Sequence, residues 1–214
     1  MADRATPLQN RVRPDGVIVA TPERGLMMGN RGGCFHRDDQ TLGRTPWASR
    51  QWICCVLSFK GRRRALMQPN RYTELFFLDE ATALAAGHRP CFECRRADAT
   101  RFAALWAQAN GLPAPPSAPE MDRALHQERL APDRGKRHFE AGADSLPDGV
   151  FLQLAAEQTL YLLARKQLLP WSFAGYGPVR ALPARQNVHV LTPRSIVAVL
   201  SSGYRPMLHP SAGT

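Results

Sequence analysis

The chain has 214 residues, 44% of them hydrophobic and 21% charged, which suits one compact domain or a domain with an appendage and excludes a disordered chain. There are 28 Lys and Arg against 18 Asp and Glu, a formal charge of +10 with a sequence pI near 10.1, so the expected partner is a polyanion or an anionic substrate. Only Lys60, Lys136 and Lys166 are lysine; the remaining cations are arginines, whose planar fork suits bidentate contact with phosphate or carboxylate.

No run of eighteen apolar residues occurs, and Met1-Ala2-Asp3-Arg4 lacks the apolar core of a signal peptide, so the expectation is a cytoplasmic protein without membrane contact. In chain order, residues 16–20 and 51–59 read as strands, and residues 71–78 as a third. Asp79 caps a short helix over 80–86, ended by Gly87 and Pro90. Residues 95–110 follow as a longer helix with apolar residues at helical spacing. Leu-Pro-Ala-Pro-Pro-Ser-Ala-Pro over 112–119 reads as an extended connector. The chain is thereby divided into residues 1–111 and 120–214, and most of the positive excess falls in the first part.

Beyond the connector a helix is expected over 120–130 and a polar basic stretch over 133–138. A hairpin follows, with arms at 150–154 and 159–164, then strands at 168–171 and 188–191. Thr192-Pro193 reads as an N-cap followed by Pro at the first helical position, opening a last helix over 194–202 that Gly203 closes. Short strands mixed with helices make the expected class α+β.

Five cysteines without an export signal argue against a disulfide framework. Cys91-Phe92-Glu93-Cys94 sits at a helix entrance, where two thiolates come within reach of one ion and their pKa is lowered, so this pair is the expected half of a tetrahedral Zn2+ site. A redox role fits less well, because a helix, a glycine stop and Arg89-Pro90 precede the motif where a thioredoxin-like unit would place a strand. Cys34 and His36, preceded by the glycine-rich 29–33 segment read as a tight loop, are the leading candidates for the other two ligands. Cys54, Cys55 and His88 compete with them. On a strand Cys54 and Cys55 point to opposite faces, so at most one would face the ion.

Residues 72–96, Tyr-Thr-Glu-Leu-Phe-Phe-Leu-Asp-Glu-Ala-Thr-Ala-Leu-Ala-Ala-Gly-His-Arg-Pro-Cys-Phe-Glu-Cys-Arg-Arg, resemble the second half of the zinc-binding domain of the Ada DNA methylphosphotriester repair proteins. Phe35-His36-Arg37 is similar to a motif upstream of such zinc fingers in tails of some bacterial nucleases. The likeness extends over about 34–96 at most. It implies a treble-clef-like zinc fold, zinc ligation by Cys91 and Cys94, and contact of the surrounding arginines with a DNA backbone. The Cys-x-x-x-Cys element that carries methyl-acceptor chemistry in that family does not occur here, so that chemistry is not implied.

The candidate contacts to nucleic acid, DNA before RNA, are Arg31, Arg37, Lys60, Arg62, Arg63, Arg64, Arg89, Arg95 and Arg96. An alternative reading makes the protein an enzyme on a small anionic substrate, bound in a cleft between the two parts with zinc as scaffold. His126, Glu128, Lys136 and His138 would then supply acid, base or cationic groups.

Overall fold

A computed structural model describes residues 6–62, 65–155, 157–183 and 186–213. Arg63 and Arg64 lie outside the described residues. The architecture is α+β, built on two sheets.

The first sheet runs β2-β1-β5-β3-β4-β6. Its strands are β1 (Gln9–Val12), β2 (Ile18–Ala20), β3 (Met27–Arg31), β4 (Trp52–Val56), β5 (Leu75–Phe77) and β6 (Arg89–Pro90). β1 pairs parallel with β5 and β4 parallel with β6, the other pairs being antiparallel. Helix α1 (Glu80–Ala85) links β5 to β6, with Asp79 as N-cap accepting from the Thr82 backbone N–H at 2.9 Å, as the sequence leads one to expect.

Residues 29–31 depart from the expected loop, whose bend is confined to Gly32 and Gly33, at φ of 80° and 149°. Gly29, Asn30 and Arg31 belong to β3, in register with Cys54, Ile53 and Trp52. A Cβ at Gly29 would stand 2.3 Å from the Ile53 carbonyl oxygen and 2.8 Å from the Phe77 ring, so glycine serves here to let β3 approach its neighbours closely rather than to turn the chain.

Helix α2 (Arg96–Ala109) follows β6, and α3 (Ala118–Arg129) follows α2 after a short stretch. The end of the proline-rich segment is helical: Ser117 and Glu120 form a capping box, with Pro in the first turn where its missing N–H costs nothing.

The second sheet runs β11-β10-β9-β8-β13-β7, with β12 paired to β10, and every pair is antiparallel. It comprises β7 (Phe139–Gly142), β8 (Phe151–Gln153), β9 (Leu160–Ala164), β10 (Gln167–Ser172), β11 (Gly175–Tyr176), β12 (Arg180–Ala181) and β13 (Asn187–Val190). The expected hairpin is β8–β9, and β10 extends it. Helix α4 (Arg194–Ser201) begins where expected, but with Pro193 rather than Thr192 as the cap residue; the Thr192 hydroxyl instead accepts from the Phe151 backbone N–H at 2.9 Å.

One hydrophobic cluster contains Leu84, Phe102 and Trp106 from before the proline-rich stretch together with Leu125, Leu152 and Val199 from after it. Among the described residues no helix is long and apolar enough to cross a membrane.

Candidate metal centre

The centre is assembled by strand alternation and one parallel pairing. Along β4 the side chains of Cys54 and Cys55 point to opposite faces. Cys54 is fully buried and its sulfur lies 3.7 Å from Nη1 of Arg95; burial pushes its thiol pKa up. Cys55 faces the other way. β6 lies beside β4, and the Cys91 backbone N–H donates to the Cys54 carbonyl at 3.0 Å. That bond carries the turn entering α2 onto the Cys55 face.

The ligand atoms of Cys55, Cys91 and Cys94 lie within 4.8 Å of one another. A tetrahedral ion with bonds of about 2.3 Å to sulfur needs sulfurs roughly 3.8 Å apart, so the three thiols fit Zn2+ or another thiophilic ion with slight closure. The turn favours thiolates. Hydrogen bonding from Cys55 and from the backbone amides of Glu93 and Cys94 pulls Cys91 down to about 5, and Cys94 is lowered as well, while the Cys55 thiol is pushed up as the proton donor of the trio. At the rim Arg62 and Glu93 form an exposed ion pair at 2.8 Å. The cluster opens on a cavity of about 410 Å3 whose walls include Met28, Ile53, Tyr72 and Phe76.

Among the described residues Cys34 and His36 are not part of this cluster. Their own side chains are neighbours, Sγ to Nδ1 being 3.8 Å, but the His36 ring is committed elsewhere, to the Thr73 hydroxyl at 2.8 Å and the Gln68 carbonyl at 3.2 Å. The expected pairing of 34 and 36 with 91 and 94 is therefore corrected to Cys55 with Cys91 and Cys94. The rejected competitors are accounted for too. His88 is buried between Trp52 and Phe77, at ring distances of 5.1 and 4.7 Å, with Arg31 donating to its Nε2; burial and the neighbouring arginines hold it neutral.

The expected nucleic-acid contacts separate into two groups. Arg89 is buried in a bidentate pair with Asp122, 2.9 and 2.8 Å. Arg95 is buried against Glu80 at 2.9 Å and Asp98 at 2.7 Å. Arg31 is 1% exposed and stacks on Trp52, 4.0 Å from its ring centroid. These three are corrected from surface contacts to interior cations. Arg37, Lys60, Arg62 and Arg96 are exposed.

The four residues of the alternative catalytic set each have separate partners. Glu128 accepts from the Ser195 backbone N–H at 2.9 Å and the Ser195 hydroxyl at 2.6 Å, so it caps the start of α4. His126 Nδ1 accepts from Arg129 at 3.0 Å, and burial and that cation lower its pKa. His138 is exposed and stands edge-on to His189, with ring centroids 5.1 Å apart. Lys136 donates to the Ala85 carbonyl. Replacing Glu128 with Ala is expected to lower stability by about 1–2 kcal/mol through the lost cap, read as a lower urea midpoint with unchanged slope; an unchanged midpoint would restore Glu128 as a free acid.

Compared with protein-family models, curated proteins and solved structures, the chain gives no match.

Proposed function

We propose that this is a zinc protein in which Cys55, Cys91 and Cys94 hold a structural ion, and that it binds nucleic acid, DNA in preference to RNA, through its exposed arginines. The carrying observation is the convergence of three sulfurs from β4 and the α2 entrance within 4.8 Å. The resemblance of residues 72–96 to the Ada zinc-binding domain supports ligation by Cys91 and Cys94. The ligand pair at a helix entrance supports the helix half of a treble-clef-like arrangement. Three thiolates outweigh the charge of a divalent ion and leave it a poor Lewis acid, which favours a structural role; the three sulfurs leave one tetrahedral position for a further ligand. Five cysteines with no disulfide suit a reducing compartment such as the cytoplasm. The excess of ten positive charges supports the polyanion partner.

Metal analysis of the purified chain is expected to find about one zinc per molecule. Gel-shift titration against duplex DNA, single strands and RNA at two salt concentrations tests the second half: affinity should fall steeply with salt and rank duplex first. Absence of metal removes the first claim, and absence of binding at low salt removes the second.

A second reading, an enzyme on a small anionic substrate held between the two parts with zinc as scaffold, is supported by Lys136. It lines a basic cavity together with Arg31 of β3 and Arg129 of α3.

A further inference from the structure

That cavity, about 470 Å3, lies on the side of the molecule where Trp52 and Ala86 meet the segment following α3. Its charged walls are Arg31, Arg44, Arg129, Arg134 and Lys136, with Asp15 as the opposing carboxylate. Asp15 is itself paired with Arg13 at 2.8 Å. Elsewhere in the fold interior guanidiniums are matched by carboxylates, as Arg89 is by Asp122 and Arg95 by Glu80. Around this cavity they are not.

Among the described residues Arg31 and Arg129, each 1% exposed, make no ion pair. Arg31 donates to the Gly16 carbonyl at 2.9 Å, and Arg129 to the Gly87 and Arg50 carbonyls at 2.9 and 2.8 Å. Both guanidiniums stack on the single indole of Trp52, at 4.0 and 3.8 Å from its centroid. Nε of Arg129 is buried with no protein partner. Two stacked guanidiniums and a nearby ammonium repel one another in a partly dehydrated space, a cost that an anion would offset. Burial, with Arg31 and Arg129 nearby, pulls Lys136 down to about 7, against the opposing pull of Asp15. Arginines do not lose their protons in that range, so they keep their charge and the attraction for an anion.

We propose that this cavity binds a phosphate monoester of about nucleotide size, its dianionic phosphoryl group set among Arg31, Arg129 and Lys136, with Arg44 and Arg134 at the entrance and the organic part against Trp47. A carboxylate would neutralise one charge where five cations face one acid. A phosphoryl group offers two charges and three acceptor oxygens to forked donors. The volume exceeds what a bare phosphate fills and falls in the range of small-ligand sites, and Trp47 lines it as an aromatic wall. The same phosphoryl chemistry is presented by a free mononucleotide or by the 5′ end of a nucleic acid strand. Only the second source rests on the nucleic-acid reading above.

Calorimetric titration of the full chain with adenosine 5′-monophosphate, inorganic phosphate and adenosine tests the site. The monophosphate and phosphate are expected to bind, with adenosine at least about tenfold weaker. Lys136→Met and the exposed double variant R44Q/R134Q should each weaken monophosphate binding by about tenfold or more while the ligand-free melting temperature is unchanged or higher. Equal binding of adenosine, no heat from either phosphate at roughly 10 mM, or full affinity in both variants would overturn the proposal. A 5′-phosphorylated oligonucleotide that outbinds its 5′-hydroxyl twin, with the difference lost in the variants, identifies the strand end as the source. Equal binding of the twins alongside monophosphate binding identifies the free monoester. Phosphate binding without any oligonucleotide binding leaves the cavity standing and removes the nucleic-acid function; the reverse result does the opposite.

Discussion

Replacing Cys91 with Ser is expected to abolish zinc binding and to lower stability by about 3–5 kcal/mol, because the proposed ion would tie β4 to the entrance of α2 and a buried hydroxyl ligates zinc poorly. Cys55→Ser should behave alike, since its sulfur belongs to the same cluster. Cys34→Ser should keep the metal and stay near wild-type stability, its side chain being exposed and apart from the trio. Zinc content by elemental analysis and urea unfolding with and without chelator read both effects. Chelator should destabilise the wild type and leave the Cys91 variant where it already is. If Cys55→Ser retained full zinc while Cys34→Ser lost it, the ligand set proposed here would be wrong.

The contrast between these cysteines marks where sequence reading succeeds and stops. Cys91 and Cys94 are legible because their relation is local: two residues between them and a helix behind them fix their reach. The opposite faces of Cys54 and Cys55 are also local, a consequence of the two-residue period of a strand. Which of the two joins Cys91 and Cys94 depends on β6 pairing parallel to β4, a contact across some 35 residues with no signature in either segment, so Cys55 remains one competitor among several until the fold is known. β1, β3 and β7 fail for a related reason. Gln-Asn-Arg-Val and Met-Met-Gly-Asn-Arg carry little apolar alternation, and Phe-Glu-Ala-Gly alternates over only four residues; Asn10 and Asn30 are nonetheless buried in the first sheet. Asn30 is held there by its own side-chain bonds to the Thr73 and Gly33 carbonyls, at 2.9 and 3.1 Å. Charge is misread in the same way. A run of arginines is a statement about one dimension, and Arg31, Arg89 and Arg95 are drawn inward by partners that lie far along the chain or on another element.

Arg89 offers the sharpest test of that last point. It belongs to β6, two residues before Cys91, and its bidentate partner Asp122 belongs to α3, beyond the proline-rich stretch. Both side chains are nearly sealed from solvent, 4% and 3% exposed, so the pair has exchanged hydration for one another. Removing the cation alone strands a dehydrated carboxylate. Arg89→Met is therefore expected to cost about 3–5 kcal/mol at saturating zinc, whereas Arg89→Met combined with Asp122→Leu should recover most of the loss, because neither charge is then left buried alone. A surface arginine that touched only a nucleic acid would give the opposite pattern, with stability unchanged and DNA affinity reduced by a roughly uniform factor across sequences. Urea midpoints for the single and double variants, read beside gel shifts of the same proteins, decide between the two. A stable Arg89→Met chain with weakened DNA binding would return this residue to the interface and undo the division drawn between interior and exposed arginines.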